Sequence, residues 1–267
     1  MSKLNDKFVN KYWGDRVANA QNKLTTKSIK ATELQLKKYY VRSFEKILGQ
    51  FQLTHNHLLS SIDEGREPTP ADLYNLDKYW QMQGQVAEEL ERLGNKQIKL
   101  LSKNFMEQFI DVYSSFGLES DKNFSSIDTQ ATRQMINQIW CADGKTWSAR
   151  IWGSINKLRE TLNEGLIECI VAGKRTTELK NILQEKFDVT YAQADSVVRT
   201  EMAHIQTQAS RERYKDYGIK EVEFYADKDE RQCDLCGELH GKRYLIGEVM
   251  PIPVHPNCRC CIIPVIE

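Results

Sequence analysis

An excess of charge of either sign is missing from this chain: Lys+Arg and Asp+Glu both number 37. Without a global basic field the molecule as a whole is not drawn onto nucleic acid, so any such contact must be local. Also missing is any run approaching the 18 apolar residues of a membrane-spanning helix. The first residues carry scattered charges and lack the apolar stretch of a secretory leader, which predicts a chain made and kept in a cytoplasm. Low-complexity tracts and long internal repeats are absent, and no His-Glu-x-x-His or His-x-Glu deaminase pattern occurs, which argues against the familiar zinc hydrolases. What remains is a chain of 267 residues, 40% apolar and 28% charged. That is the balance of a folded protein with one large or two ordinary domains.

Cysteine usage is lopsided. Cys141 and Cys169 stand singly in helical sequence, whereas Cys233, Cys236, Cys258, Cys260 and Cys261 crowd the C-terminal end. In a reducing compartment such a cluster points to metal before disulfides.

The first 190 residues read as successive helices. Leu34, Val41 and Leu48 repeat by seven, with Phe44, Phe51 and Leu58 as a companion row, so a coiled-coil-like seam is expected there, with His55 on the first row as a tolerated seam residue. His57 faces another side. A break is expected at Asp63-Glu64-Gly65. Thr69 and Pro70 then supply an N-cap and first-turn proline for a helix ending at Gly94. Ile98, Leu101, Phe105, Phe109, Val112 and Phe116 predict the next helix, with one apolar stripe for the core.

A polar stretch over residues 117–126 marks a loose boundary there or nearer residues 141–144. Trp147, Ile151, Ile155, Leu158, Leu162, Leu166 and Ile170 mark a long helix ended by Gly173, with Trp140, Trp147 and Trp152 anchoring its packing. Leu179, Ile182, Leu183 and Phe187 form a short helix, and the capping-box spacing of Thr190 and Gln193 starts another. The inner face of that last helix is Ala194, Val197, Val198, Met202, Ile205 and Ala209, and Gly218 stops it.

Beyond Gly218 the period changes. Residues 221–226 alternate as a half-buried strand does, and short strands near 243–246 and 261–265 can pair with it. The fold class is therefore mainly α: a helical N-terminal arm over residues 1–140, then residues 141–267 with helices over 147–217 and a small α+β Cys/His module over 218–267.

Cys233-x-x-Cys236 and His255-x-x-Cys258 are separated by 18 residues. Each two-residue spacer lets a tight turn aim both side chains at one ion, and two turns complete a tetrahedral shell of three thiolates and an imidazole suited to zinc. Cys260 competes with Cys258 for the fourth place, and His240 competes more weakly. A closed shell leaves no position for water or substrate, so the Zn2+ is expected to be structural, with no catalytic residue attached. Redox chemistry requires a CxxC opening a helix after a strand, a context not expected here. Glu201 and His204, in a helix that also carries Arg199 and Thr200, read as an ordinary surface or interface pair.

The ordered set Val198-Arg199-Thr200-Glu201, Gly218, Asp229 to Cys236, Leu239-His240-Gly241-Lys242 and His255-Pro256-Asn257-Cys258-Arg259-Cys260 with Pro264-Val265 resembles a specific family. It is similar to the Mu F-like minor head proteins of tailed bacteriophages over residues 147–265. Departures are Tyr225, where such proteins often carry Trp, and the additional Cys261. The resemblance implies a non-enzymatic head-morphogenesis protein located in the virion head near the portal vertex. It would associate with the portal protein, and with scaffold or capsid proteins, during procapsid assembly in the host cytoplasm. It would also act in DNA packaging or ejection and touch packaged DNA weakly and non-specifically, with no membrane or small-molecule substrate involved. The alternative is a non-specific nucleic-acid-binding module with a structural zinc site. Lys96, Lys99 and Lys103, and Arg211, Arg213 and Lys215, read as solvated basic rows; a hydrolase using zinc or the helix with Arg199, Glu201 and His204 is the third class.

Overall fold

A computed structural model of the chain describes residues 2–61, 66, 69–115, 127–171, 176–226 and 232–266. The breaks expected at Gly65, 117–126 and Gly173, the side chains of Phe116 and Ile170, and the motif residues Asp229, Glu230 and Arg231 lie outside the described residues. The elements are α1 (Ser2–Ser61), α2 (Pro70–Tyr74), α3 (Asp77–Ser114), α4 (Thr129–Ile136), α5 (Trp147–Val171), α6 (Thr176–Asp216), β1 (Glu221–Tyr225), α7 (Asp234–Leu239), β2 (Arg243–Leu245) and β3 (Cys261–Pro264). No described helix is long and apolar enough to cross a membrane. They form two compact units. One comprises Met1–Thr32, Leu101–Trp147 and Ser196–Glu267; the other comprises Glu33–Leu100 and Ser148–Asp195.

Among the described residues, the regular elements of the second unit are all helices. Its part of α1 buries Leu36, Tyr40, Phe44, Ile47, Phe51 and Leu58, whereas Leu34 and Val41 are 59% and 46% exposed. The companion row of the expected seam is therefore the covered one, while the row through Leu34 faces water at Leu34 and Val41, is half-buried at Leu48 and is covered at His55. Spacing by seven says that residues share a face, but the bulk of Tyr40, Phe44 and Phe51 decides which face is worth covering. His55 is buried beside that row, and burial pushes its basicity down.

Two helix boundaries expected from local signals do not exist. Helix α3 runs straight through Gly94, because a glycine inside a helix costs only about 1 kcal/mol when packing repays it. A Cβ at Gly94 would lie 2.4 Å from the Trp152 ring, so the glycine permits a close approach of α5 and does not end α3. Gly84, on the same helix, has open space around it. Gly84→Ala should therefore stabilise the protein by about 1 kcal/mol, while Gly94→Ala should destabilise it by about 1–2 kcal/mol through overpacking. Urea midpoints of the two variants would decide this, and equal shifts of the same sign would refute the packing role.

Thr190 likewise starts nothing. It sits inside the continuous α6, where its hydroxyl donates to the Lys186 carbonyl 2.9 Å away. The Tyr40 hydroxyl lies 3.4 Å from the Thr190 carbonyl and 3.2 Å from Gln97 Oε1, and the Tyr40 ring meets Phe187 and Tyr191 edge-on. Buried apolar packing thus overrides a capping signal that would act only at a free helix end. By contrast Thr69 does cap α2, in a reciprocal capping box with Asp72.

The first unit carries a three-stranded antiparallel sheet of order β2-β1-β3. The expected strands are present, with Val222 opposite Tyr244 and Pro264, and Phe224 opposite Ile262. Helix α6 stops at Gly218, whose φ of 70° suits only a residue without Cβ, and the Ile219 N–H closes the cap on the Tyr214 carbonyl. One face of the sheet packs Val222, Phe224 and Ile262 on Tyr214, Leu239 and Ile252, with Cys236, Cys258 and Cys260 at the margin of the same core. On the other face Cys261 and Ile263 meet Ala18 of α1, a Cβ at Gly14 would lie 2.5 Å from Ile263, and the Tyr225 hydroxyl donates to Asp15 at 2.6 Å. Helix α1 is thereby pinned to β1 and β3.

Candidate metal centre

Cys233 occupies the N-cap of α7, with its sulfur accepting the Cys236 N–H at 3.4 Å. The CxxC does therefore open a short helix, contrary to the expectation from sequence. A cap in extended conformation followed by one helical turn brings Cys233 and Cys236 onto the same side. Gly241, with φ of 80°, turns the chain into β2, and the long loop that follows is anchored by the buried Val249 and Ile252. It ends in a tight turn in which the Cys258 N–H bonds to the His255 carbonyl and Asn257 takes a φ of 60°, a left-handed conformation that asparagine tolerates.

The two turns converge. His255 Nε2 lies 3.3 Å from Cys233 Sγ and 3.3 Å from Cys236 Sγ, and Cys258 Sγ lies 3.7 Å from Cys236 Sγ. His255 Nδ1 faces the Pro256 carbonyl at 2.9 Å, which fixes the proton on Nδ1 and leaves Nε2 bare toward the thiols. Two overlapping groups can hold a metal ion: Cys233, Cys236 and His255, and Cys236, Cys258 and Cys260. Tetrahedral zinc, with bonds of about 2.3 Å to sulfur and about 2.0 Å to nitrogen, separates its ligand atoms by roughly 3.5–3.8 Å. The two His255–thiol separations and the Cys236–Cys258 separation fall within a few tenths of an ångström of those values, while Cys258 groups with Cys236 and Cys260 and not with Cys233 and His255.

The protonation pattern is that of a ligand set. A hydrogen bond from the Cys260 thiol, with the backbone N–H groups of Cys260 and Val254, draws Cys258 down to about 5. The Cys236 N–H lowers Cys233, whereas burial pushes Cys236 up to about 12. Burial opposes the charge on His255, but the Pro256 carbonyl and the neighbouring thiolates outweigh it and raise its basicity. A buried thiol that resists ionisation beside others that favour it is what a divalent cation would relieve.

Two of the residues under suspicion lie elsewhere. Cys261 points to the opposite face of β3, into the apolar contact with Ala18. His240 accepts the Ala226 N–H at 3.2 Å through Nδ1 and meets Tyr225 edge-on. The alternation of a strand separates Cys260 from Cys261, a signal present in the sequence once β3 is placed.

Readings of two exposed features need correction. Glu201 and His204 are buried at 2% and 5% exposure: Glu201 accepts the Trp140 indole N–H at 3.0 Å, and the Trp140 ring stacks on His204 at 4.0 Å between centroids. Arg213 is buried between the rings of Tyr113 and Tyr217 and so does not belong to a solvated row, whereas Lys215 beside it and Lys96, Lys99 and Lys103 are exposed. Trp140 and Tyr113 lie far along the chain from the residues they cover and leave no local mark beside them.

Residues 160–263 match the family model described as Phage Mu protein F like protein. The segment is Mu F-like. It runs from within α5 through α6 into β3 and takes in the whole candidate centre. An NAD(+)--arginine ADP-ribosyltransferase, EFV, of Enterococcus faecalis is 27% identical over 142 residues, covering 46% of this chain and 29% of that protein. The chain thus spans under a third of that relative, and its activity is not carried over. No solved structure matches. The Mu F-like match supports a head-morphogenesis protein, a structural class consistent with a non-enzymatic role.

Proposed function

We propose that the protein is a minor head component of a tailed phage, associated with the portal during procapsid assembly, whose Mu F-like segment is held by one structural zinc ion. The observation that carries the metal reading is the meeting of His255 Nε2 with two thiols at 3.3 Å each, beside the Cys236–Cys258 contact of 3.7 Å. Cys233, Cys236, His255 and Cys258 would hold the ion. Cys258 is preferred to Cys260 as the fourth ligand because the hydrogen bonds it receives, one of them from the backbone of Cys260 itself, stabilise its thiolate. Cys260 would then belong to the outer layer that supports the ligand. The zinc would supply cross-linking: it would tie α7 to the loop before β3 and leave no position open for a substrate.

Elemental analysis of protein purified with reductant and without chelator should find one zinc per chain. Metal-free, fully reduced protein with an unaltered fold would refute the reading. Portal association is tested by co-expressing the chain with the portal protein of a tailed phage: the two should co-sediment, and a chain found only in the free fraction would argue against the placement. A second reading, non-specific nucleic-acid binding, is favoured by the exposed Lys23, Lys27 and Lys30 on α1, which flank Asn22 and Thr26 in a shallow groove. Duplex DNA affinity falling steeply with salt would support it.

A further inference from the structure

The Arg-Thr-Glu stretch of α6 has no role in the metal shell itself, yet it faces the loop that supplies half of it. Thr200 Oγ1 accepts the Asn257 N–H at 3.1 Å, and Asn257 lies between His255 and Cys258. His204 stands one helical turn further on the same face. Its Nδ1 lies 3.0 Å from the Ile252 carbonyl, an acceptor, so the ring carries its proton there. Ile252 is fully buried three residues ahead of His255. Two side chains of one rigid helix therefore grip both ends of the ligand loop. His204 is itself held, by the Trp140 ring stacked on it, and Trp140 in turn is fixed by its indole N–H on Glu201. All of these residues belong to the first unit.

We propose that Thr200 and His204 are positioning residues of the metal centre, with Trp140 and Glu201 as their brace. This rests on the zinc reading above. The ligand turn carries strain-tolerant geometry at Asn257 and has no regular secondary structure of its own, so its aim at the ion depends on what it is bonded to. Outer contacts of this kind orient ligating side chains, and their removal typically weakens metal binding by about 10- to 100-fold. A helix lends precision that a loop lacks.

The test compares zinc affinity, by competition with a chromophoric chelator, in the full-length wild type and in Thr200→Val, Thr200→Ser and His204→Phe. Valine keeps the branched shape of threonine and loses the acceptor, whereas serine keeps the acceptor. Thr200→Val and His204→Phe should each bind zinc at least about 10-fold more weakly, and Thr200→Ser should stay within about threefold of wild type. Cobalt(II) in place of zinc gives a second readout: the visible ligand-field bands should shift in Thr200→Val and not in Thr200→Ser. A simple packing defect would move stability and leave that spectrum alone. Wild-type affinity in Thr200→Val, or equal losses in the valine and serine variants, would overturn the assignment while leaving the zinc reading intact. Wild-type protein that takes up no metal would overturn both. Should His204→Phe fail to fold, the threonine pair still decides.

Discussion

Cys236→Ser should release the metal and unfold the Mu F-like module around it, the largest effect expected of any single substitution in this chain. Cys236 belongs to both candidate ligand groups, so no rearrangement within the cluster can replace it. Structural zinc contributes on the order of 10 kcal/mol in small zinc-dependent peptides. The loss here is smaller than in a peptide, because Val222, Phe224, Ile252 and Ile262 give this module an apolar core of its own. Calorimetry of wild type and variant should show the unfolding transition moving down steeply. Cys261→Ser, on the opposite face of β3, should keep the zinc and cost about 1–2 kcal/mol as a polar group set among apolar neighbours. Retention of zinc by Cys236→Ser, or its loss from Cys261→Ser, would show that the ion is held elsewhere. Cys258→Ser and Cys260→Ser separate the two remaining thiols: the first should abolish binding, and the second should only weaken it.

Acid should weaken the fold through His204. Burial, only partly offset by the hydrogen bond to Ile252, holds this imidazole down to about 4 from the ordinary 6.5. In the unfolded chain it takes up a proton as pH falls through 6.5, while the folded protein stays neutral to about 4. Across that window the unfolded state binds more protons, so stability falls with falling pH, by about 3 kcal/mol over the whole interval. Above pH 6.5 both states are neutral and the residue adds no pH dependence. His55, buried in the second unit and shifted in the same direction, adds to the loss. The check is an NMR titration: the His204 ring resonances should not move between pH 7 and pH 5. A His204 midpoint near 6.5 would remove this source of acid sensitivity.

The candidate centre was largely legible in the sequence because its spacing is local. Two short pairs of ligands announce their geometry whatever surrounds them, and the strand alternation after Gly218 needed no tertiary information. Helix α5 was equally readable, since Ile151, Ile155, Leu158, Leu162 and Leu166 are all buried. The signals that misled were those whose meaning depends on a distant partner. Gly94 looks like a stop until Trp152 is seen lying on it, Thr190 looks like a cap until Tyr40 is found against its carbonyl, and Glu201 looks like a surface charge until Trp140 is in place. Each partner comes from a distant part of the chain, and no pattern within one helix carries that information.

The contact of Gly14, Asp15 and Ala18 with Tyr225, Cys261 and Ile263 joins residues far apart along the chain. During synthesis the sheet-facing side of the early turns of α1 stays uncovered until β3 has been made, about 250 residues later, so this contact forms late and at a high loop-closure cost. The delay has a practical side. A fragment limited to residues 160–263 would keep its cysteines but leave the outer side of the sheet bare, and it should associate in solution unless a peptide covering the early turns of α1 is supplied in trans.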